Sequence, residues 1–229
     1  MANILLVEDD ADLCFLTENS LKKNNHECKV AYSVKEGKAF SSETSYDLFL
    51  LDFNLPDGTG DEIGRFVRKF TFAPIIFLTG FSDDETIKDS YSCGADDFIT
   101  KPVNFTLLNL KINTLLTRLA SKPFRIIEDA PLYVFKHFAL DVARRIIRRG
   151  GEEISLTVFE YEILRYLIRH TDTLVLYSDL YRSVWQNDDT DDIRTVAVHV
   201  SNLRKKIDPS PGIGIITTVR GVGYIFSDK

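Results

Sequence analysis

The chain has 229 residues, which is enough for two domains of ordinary size. Hydrophobic residues make up 44% of it and charged residues 27%, with 12 Gly and 7 Pro, so the composition excludes a disordered or collagen-like protein. The net charge of -6 belongs to the first half, because residues 1–122 carry 13 Lys+Arg against 19 Asp+Glu, whereas residues 123–229 carry 15 against 15. A neutral second half means that any case for nucleic-acid binding must come from local clustering of charge.

The N-terminus and the cysteines exclude further classes. Glu8, Asp9 and Asp10 interrupt the first apolar run before a signal peptide is complete, and no apolar run approaches the ~20 residues of a membrane span. We therefore expect a cytoplasmic protein with no membrane partner. The three cysteines, Cys14, Cys28 and Cys93, are odd in number and lack ligand spacing, so we expect reduced thiols and neither disulfides nor zinc.

The first half of the chain alternates short apolar runs with amphipathic stretches. This pattern predicts a doubly wound α/β domain, because near-continuous apolar strands need helices on both faces of a parallel sheet. The predicted strands are Ile4–Val7, Cys28–Ala31, Leu48–Leu51, Ile75–Leu78 and Phe98–Thr100, and the predicted helices surround Leu13–Lys23, Asp61–Phe70, Asp84–Ser92 and Phe105–Leu119.

The pattern changes after Leu119, where Pro123 and Pro131 flank a stretch without periodicity. We place a linker at residues 120–131, between a first domain of residues 1–119 and a second of residues 132–229. Short β-type runs with a turn at Arg149-Gly150-Gly151 predict a small antiparallel sheet in the second domain. The elements predicted after it are helices over Thr157–His170, Ser178–Trp185 and about Asp192–Ile207, the first opened by a Thr157-x-x-Glu160 capping box, and two β runs around the turn Arg220–Gly223.

Polar side chains end four of the predicted parallel strands: Glu8 and Asp9, Asp52, Thr79 and Lys101. Ligands bind at the carboxyl ends of such strands, so we expect these side chains to share one crevice. Three carboxylates together repel each other unless a cation lies among them, and an all-oxygen set suits Mg²⁺. Any one acid alone is also explained as a helix N-cap or a solvated loop group. Four strand ends in the correct order favour a functional site.

Three segments of residues 2–119 resemble the receiver domain of two-component response regulators. They are Leu5-Leu6-Val7-Glu8-Asp9-Asp10, Leu51-Asp52-Phe53-Asn54-Leu55-Pro56-Asp57-Gly58-Thr59-Gly60 and Gly94-Ala95-Asp96-Asp97-Phe98-Ile99-Thr100-Lys101-Pro102. The resemblance implies a flavodoxin-like, five-stranded parallel sheet and phosphorylation of Asp52 by a sensor histidine kinase. It also implies that Glu8, Asp9, Asp52 and the backbone carbonyl of Asn54 hold Mg²⁺, and that Thr79, Lys101 and Phe98 respond to the phosphoryl group. A static core ring is the alternative interpretation of Phe98.

The helix that ends at Ile207 carries one apolar stripe, which consists of Ile193, Val196, Val200, Leu203 and Ile207. We expect the opposite surface to be exposed and to bind the major groove of DNA, because it contains no acid. Its residues are Arg194, Thr195, Val198, His199, Ser201, Asn202, Lys205 and Lys206, with Arg204 at the margin. We expect Asn202, near the centre, to read a base, while Arg204 and Lys206 contact phosphates. An ordinary solvated basic helix is the alternative.

Residues 132–227 resemble the OmpR/PhoB-type winged-helix effector domain, an α+β winged helix-turn-helix fold. The matching segments are Leu156-Thr157-x-x-Glu160-x-x-Ile163-Leu164, Ser178-x-Leu180 through Val184-Trp185, Arg194-Thr195-Val196-x-Val198-His199-Val200-x-x-Leu203-Arg204-Lys205-Lys206-Ile207 and Thr218-Val219-Arg220-Gly221-Val222-Gly223-Tyr224. The resemblance implies binding to double-stranded promoter DNA, with Arg220 on a wing that reaches the minor groove. Ala197 departs from the acid that is usual in that helix.

The family also implies two protein contacts. The acidic loop of Asp188, Asp189, Asp191 and Asp192 is expected to contact RNA polymerase, or alternatively only to favour the helix dipole. Activated receivers dimerise through their fourth helix, fifth strand and fifth helix, where Asp97 and Lys111 match an inter-subunit ion pair. Ile87 and Leu107 replace a basic and an acidic partner, so we expect a homodimer with a more apolar contact, or else intramolecular packing of these side chains.

Together these features predict a DNA-binding response regulator that is no enzyme beyond accepting a phosphoryl group and slowly losing it. A phosphatase with an aspartyl nucleophile would need a second carboxylate at Asn54. The remaining alternative is an atypical regulator that binds DNA independently of phosphorylation, in which the acidic crevice would usually be degraded.

Overall fold

The computed structural model describes residues 1–80, 94–120, 132–185, 193–208 and 214–228. The chain divides into two compact units, Met1–Ser121 and Lys122–Lys229. Within the described ranges, no helix is both long and apolar enough to cross a membrane.

The first unit is built on a five-stranded parallel sheet with the strand order β2-β1-β3-β6-β7. Its central strands are buried along their whole length, which is why they read as continuous apolar runs in the sequence. The strands are β1 (Asn3–Val7), β2 (Glu27–Ala31), β3 (Leu48–Asp52), β6 (Ile75–Thr79) and β7 (Asp97–Thr100), and a two-residue pair, β4 (Asn54–Leu55) and β5 (Gly58–Thr59), follows β3.

Helices cover this sheet, and their first turns explain where they begin. The Asp10 side chain accepts hydrogen bonds from the backbone N–H groups of Asp12 and Leu13, which caps the first helix. Ser33 caps the second helix in the same way through the N–H of Glu36. The described helices are α1 (Ala11–Lys23), α2 (Val34–Glu43), α3 (Gly60–Val67) and α4 (Phe105–Ala120). Helix α2 was not predicted, and the predicted helix around Asp84–Ser92 lies outside the described residues.

The second unit begins with a four-stranded antiparallel sheet in the order β11-β10-β9-β8. The predicted turn joins β10 to β11, and both Gly150 (φ 58°) and Gly151 (φ 87°) have the positive φ that a two-residue hairpin of this kind requires. The strands are β8 (Leu132–Val134), β9 (Ala139–Asp141), β10 (Ile146–Arg149) and β11 (Glu152–Ser155).

Three helices and a second small sheet complete this unit. The predicted capping box is present, because Thr157 accepts from the Glu160 N–H and the Glu160 side chain accepts from the Thr157 N–H. The helices are α5 (Val158–Arg169), α6 (Tyr177–Trp185) and α7 (Ile193–Ile207), and the strands are β12 (Val175–Leu176), β13 (Ile216–Val219) and β14 (Gly223–Phe226), ordered β12-β14-β13. The hairpin of β13 and β14 has the position of a wing after α7.

Candidate functional sites

The acidic crevice lies at the carboxyl edge of the parallel sheet. Glu8 follows β1 directly, Asp52 ends β3, and both carboxylates are almost completely buried. The ammonium group of Lys101, which follows β7, lies 2.9 Å from Glu8 Oε1 and 3.0 Å from Asp52 Oδ2. The sheet therefore brings three strand ends together around one cation, as the order of polar residues predicted.

Glu8, Asp9 and Asp52 form a group that can hold a metal ion. One carboxylate oxygen from each lies within 4.8 Å of the others. The backbone N–H of Asn54 points to Asp52 Oδ1 at 3.4 Å, so Asn54 lies beside the same carboxylate. Three carboxylates against one ammonium leave an excess of negative charge, and an all-oxygen donor set of this kind fits Mg²⁺.

The buried charged groups of the crevice shift one another's pKa values. Burial raises the pKa of Glu8 above its ordinary value, and the nearby charge of Asp52 adds to this, while the hydrogen bond from Lys101 opposes it. Burial alone would lower the pKa of Lys101, but its hydrogen bonds to Glu8 and Asp52 outweigh burial and raise it. Lys101 is thus held in its charged form by the acids of the crevice.

Thr79 and Phe98 lie on adjacent parallel strands. In the register of β6 and β7, Phe77 is opposite Phe98 and Thr79 is opposite Thr100. Because side chains alternate along a strand, Thr79 and Phe98 lie on the same face, two residues out of register. Thr79 is buried and Phe98 is half-buried. Because the two side chains lie on one face of adjacent strands, this arrangement permits the coupled movement expected of them.

Backbone close to Asp52 leaves no room for a side chain at Gly60, the first residue of α3. A Cβ at this position would collide with the carbonyl oxygen of Asp52. The Gly60 N–H also donates to the Phe53 carbonyl at 3.0 Å. Glycine here lets α3 start directly behind the crevice and fixes the end of β3.

The proposed dimer residues are only partly described. Lys111 of α4 and Asp97 of β7 form an ion pair within the chain, with 2.6 Å between Nζ and Oδ1. The Lys111 ammonium also lies 5.9 Å from the centre of the Phe98 ring. Leu107 is exposed, as expected, whereas Ile87 lies outside the described residues.

The expected exposure of helix α7 is wrong for Asn202 and His199. Asn202 is 8% exposed and His199 is 1% exposed, so both side chains belong to the buried side of the helix. The His199 ring packs 5.4 Å from the Phe159 ring and 5.7 Å from the Trp185 ring, centre to centre. The physical reason is that α7 packs against α5 and α6 as well as β10, so its buried arc is wider than one apolar stripe.

Two cations of α7 bind groups within their own unit. Lys206 donates to Glu160 Oε2 at 2.6 Å and to the Ser155 carbonyl at 3.0 Å, which corrects its expected place on the exposed face. Arg204 donates through Nε to the Ile216 carbonyl at 2.9 Å and through Nη2 to Thr218 Oγ1 at 2.7 Å. Lys206 therefore holds the helix to the start of α5, and Arg204 holds it to the wing strand β13.

The other predicted DNA-contacting residues of α7 face outward or lie at the margin. Arg194, Ser201 and Lys205 are exposed and Thr195 is half-buried. Arg220 is exposed at the tip of the β13–β14 turn, where Gly221 has a φ of 73°. The acidic residues Asp188, Asp189, Asp191 and Asp192 lie outside the described residues.

Comparison with known proteins accounts for both units. A family model described as "Response regulator receiver domain" matches residues 4–113, and one described as "Transcriptional regulatory protein, C terminal" matches residues 151–226. The chain is 35% identical over 228 residues to transcriptional regulatory protein ResD of Bacillus subtilis, with 97% of this chain and 95% of ResD covered. This chain belongs to the OmpR/PhoB family of response regulators. It is a two-component regulator with a receiver domain and a DNA-binding domain.

Other relatives of this response regulator agree over its full length. Transcriptional regulatory protein AfsQ1 of Streptomyces coelicolor is 33% identical over 225 residues, which is 98% of this chain and 97% of AfsQ1. Among solved structures, a mutant of RitR has a TM-score of 0.81 at 25% identity, with all of both chains covered. The Thermotoga maritima OmpR/PhoB homolog DrrB has a TM-score of 0.52 at 28% identity, with 99% of each chain covered.

The partner of Lys206 in this regulator was not predicted from the sequence. Glu160 was recognised as a capping residue, but it is separated from Lys206 by 46 positions, and no local spacing indicates their ion pair. A lysine at the last turn of the helix and a buried capping glutamate are each ordinary features. Their pairing depends on how α5 and α7 pack.

Proposed function

We propose that Asp52 accepts a phosphoryl group from a sensor histidine kinase and that this modification activates the regulator for binding to promoter DNA. The observation that carries the proposal is the Lys101 ammonium placed between Asp52 and Glu8 at the carboxyl edge of the sheet. Asp52 is the member of the group that ends β3, with the N–H of Asn54 directed at its carboxylate. Both steps, phosphorylation of the receiver and binding of the promoter, would take place in the cytoplasm.

In the proposed transfer, an Asp52 carboxylate oxygen attacks the phosphorus of a phosphohistidine. A new O–P bond forms, the P–N bond breaks, and its electron pair returns to the imidazole nitrogen, which takes up a proton. Glu8, Asp9, Asp52 and the Asn54 carbonyl would hold Mg²⁺, which when bound offsets the negative charge that accumulates on the phosphoryl oxygens. Slow hydrolysis of the same acyl phosphate returns Asp52 to its free form.

Lys101 and Thr79 then respond to the new group. Lys101 already donates to Asp52, so a phosphoryl oxygen in the crevice gives its ammonium a stronger acceptor. The Thr79 hydroxyl ends the neighbouring strand and can donate to a second phosphoryl oxygen. Movement of Thr79 leaves space behind it for the Phe98 ring, which carries the change to β7 and α4.

The output is a dimer bound to DNA. The exposed Leu107 on α4, with Asp97, Lys111 and Ile87, forms the proposed face for a second copy of the receiver. Helix α7 enters the major groove while Arg220 on the wing approaches the minor groove. The Asp188–Asp192 loop is the proposed contact with RNA polymerase.

Intact mass after incubation with acetyl phosphate and Mg²⁺ tests the phosphorylation site. The wild-type protein should gain the mass of one phosphoryl group, and Asp52→Asn should gain none. Asp10→Asn is the matched control, because asparagine also caps a helix and Asp10 lies beside the same crevice. It should be labelled like the wild type. A labelled Asp52→Asn protein would assign the phosphoryl group to another residue.

Binding titrations with and without phosphorylation test the coupling to DNA. The phosphorylated wild type should bind its site more tightly than the unphosphorylated protein, and Asp52→Asn should not respond to acetyl phosphate. Equal affinity in both states would favour a regulator that binds DNA independently of phosphorylation.

Light scattering of the phosphorylated protein tests the dimer face. Leu107→Glu should remain monomeric, because it places a charge at the centre of an apolar contact. Leu16→Glu is the matched control, since Leu16 is equally an exposed leucine, on α1. If Leu107→Glu dimerises as fully as this control, α4 does not form the contact.

A further inference from the structure

The outward side of helix α7 is narrower and less polar than its sequence suggests. Arg194, Ala197, Ser201 and Lys205 are exposed, and the half-buried Val198 lies among them on the helix; we call these five residues the outer face. Arg194 and Lys205 lie at its two ends, about 16 Å apart along the helix axis. Between them lie the methyl groups of Ala197 and Val198 and the hydroxyl of Ser201.

The side chain best suited to read adenine is turned away from this surface. Asn202, whose amide is the kind of group that pairs bidentately with adenine, is 8% exposed. His199 is packed among the rings of Phe159 and Trp185. Among the α7 side chains whose exposure the structure describes, the centre of the outer face contains neither an amide nor a carboxylate.

Apolar side chains in the major groove have one favourable partner among the base edges. The C5-methyl group of thymine is the apolar group that the major groove exposes, and alanine or another small apolar side chain binds it by excluding water. We propose that Ala197 and Val198 determine sequence preference by contacting thymine methyl groups. This inference depends on the proposed docking of α7 in the major groove. It identifies thymine as the base that the centre of the outer face contacts.

The two charged ends of the outer face have a different role. Arg194 and Lys205 carry long cationic side chains that can reach phosphates on either side of the groove, and such contacts set position without selecting sequence. Ser201 lies one turn after Ala197 and Val198, and its hydroxyl bonds to any base edge. The preference for thymine therefore depends on the two apolar side chains.

Thymine-to-deoxyuridine substitution removes only the methyl group and tests this inference. Full-length protein treated with acetyl phosphate and Mg²⁺ first enriches duplexes from a random library. Each thymine of an enriched duplex is then replaced singly by deoxyuridine, and binding is titrated at fixed salt. At one or two positions the affinity should fall about fourfold, which corresponds to one buried methyl group.

A double-substitution cycle assigns the effect to residues. Val198→Ser and Ala197→Ser should each bind the thymine duplex more weakly, and one contacted thymine should no longer respond to deoxyuridine in each variant. Lys205→Ala is the comparison, because it should weaken thymine and deoxyuridine duplexes by the same factor. Fluorescence of Trp185, the single tryptophan of the chain, confirms that each variant is folded.

Three results would overturn the proposal. Enriched duplexes that bind equally well with deoxyuridine at every position would show that α7 does not read methyl groups, although it binds DNA specifically. A deoxyuridine effect that stays unchanged in both Val198→Ser and Ala197→Ser would assign thymine to other residues. If no duplex is enriched at all, the proposed sequence-specific binding fails together with this inference.

Discussion

Lys101 and Lys206 both place an ammonium group on a buried glutamate, but their surroundings differ. In the receiver, Lys101 bonds Glu8 and Asp52, and Asp9 lies close enough to join the same group. In the effector domain, Lys206 bonds one carboxylate, that of Glu160, and the Ser155 carbonyl. The first cluster has three carboxylates for one ammonium, while the second has equal charges.

This difference in charge balance distinguishes a candidate metal-binding site from a structural ion pair. A buried pair with equal charges and satisfied hydrogen bonds has no need of a further ion, and removal of one partner leaves an uncompensated charge. A cluster with excess negative charge is more stable when it binds a cation. The balance of charge around a buried lysine therefore distinguishes the two roles better than burial does.

Removing one partner of the balanced pair should have the largest effect on stability. Lys206→Met leaves Glu160 buried without its cation and should lower the free energy of unfolding of the effector domain by about 2 kcal/mol, less than for a fully buried pair because Lys206 is 25% exposed. Urea unfolding followed by Trp185 fluorescence measures this domain selectively, since the chain has one tryptophan.

Two further variants show whether the loss comes from unpaired charge. Adding Glu160→Gln to Lys206→Met should recover most of the stability, because glutamine keeps the capping box without a charge. Lys205→Met, on the exposed neighbour, should be nearly neutral. If the double variant is less stable than Lys206→Met, packing by the lysine side chain and not its charge explains the loss.

Magnesium should stabilise only the cluster with excess negative charge. At ten times its dissociation constant, Mg²⁺ should add about 1.4 kcal/mol to the stability of the receiver. Calorimetry with Mg²⁺ or with a chelator measures the change, and Trp185 fluorescence should show that the effector domain does not respond. Asp9→Asn should weaken the effect, and an equal shift of both domains would indicate a general salt effect.

Without bound metal, the stability of the receiver should depend on pH, because the same crevice contains a buried carboxylate. This effect should be smaller than that of Mg²⁺. The folded-state pKa of Glu8 is raised above its ordinary value by burial, so its contribution to stability is fully present below about pH 4.5 and is lost as pH rises through the folded-state pKa. The receiver should therefore lose stability with rising pH relative to a Glu8→Gln variant. Parallel pH curves for the two proteins would show that Glu8 does not titrate as described.

The smallest predicted effect concerns the salt dependence of DNA affinity, which should distinguish Lys205 from its neighbour Lys206. Lys205→Ala should lower the slope of log affinity against log salt by about one ion, because its exposed ammonium can reach a phosphate. Glu160→Gln/Lys206→Met should leave this slope unchanged. A reduced slope in the second protein would mean that Lys206 leaves Glu160 to bind DNA.

The receiver crevice was predictable because the end of a strand fixes where its side chains lie in the sheet. Residues at the carboxyl ends of buried parallel strands share one edge, so Glu8, Asp52 and Lys101 could be brought together from their order alone. Their identities then indicated the chemistry. Helix α2 was missed because its sequence, Val34–Glu43, has a weak apolar pattern, although Ser33 and Glu36 have the spacing of a capping box.

The outer face of α7 was only partly predictable, because a helix presents several possible faces. The apolar stripe located one buried side, but α5 and α6 both pack on this helix and bury His199 and Asn202 as well. The width of the buried side of α7 depends on how this helix packs against its neighbours, which no local sequence pattern indicates. Strand β12 was missed for a related reason, since its two residues are too few to establish a period.

Arg204 joins helix α7 to the wing hairpin of β13 and β14. Its guanidinium binds the backbone of β13 at Ile216 and the side chain of Thr218, and lies 5.7 Å from the centre of the Tyr224 ring in β14. These contacts hold the wing against helix α7. In the proposed complex with promoter DNA, the distance from the bases under α7 to the minor-groove step under Arg220 is then set by the protein. We therefore expect a half-site with one base pair inserted between those two steps to engage the helix or the wing, but not both.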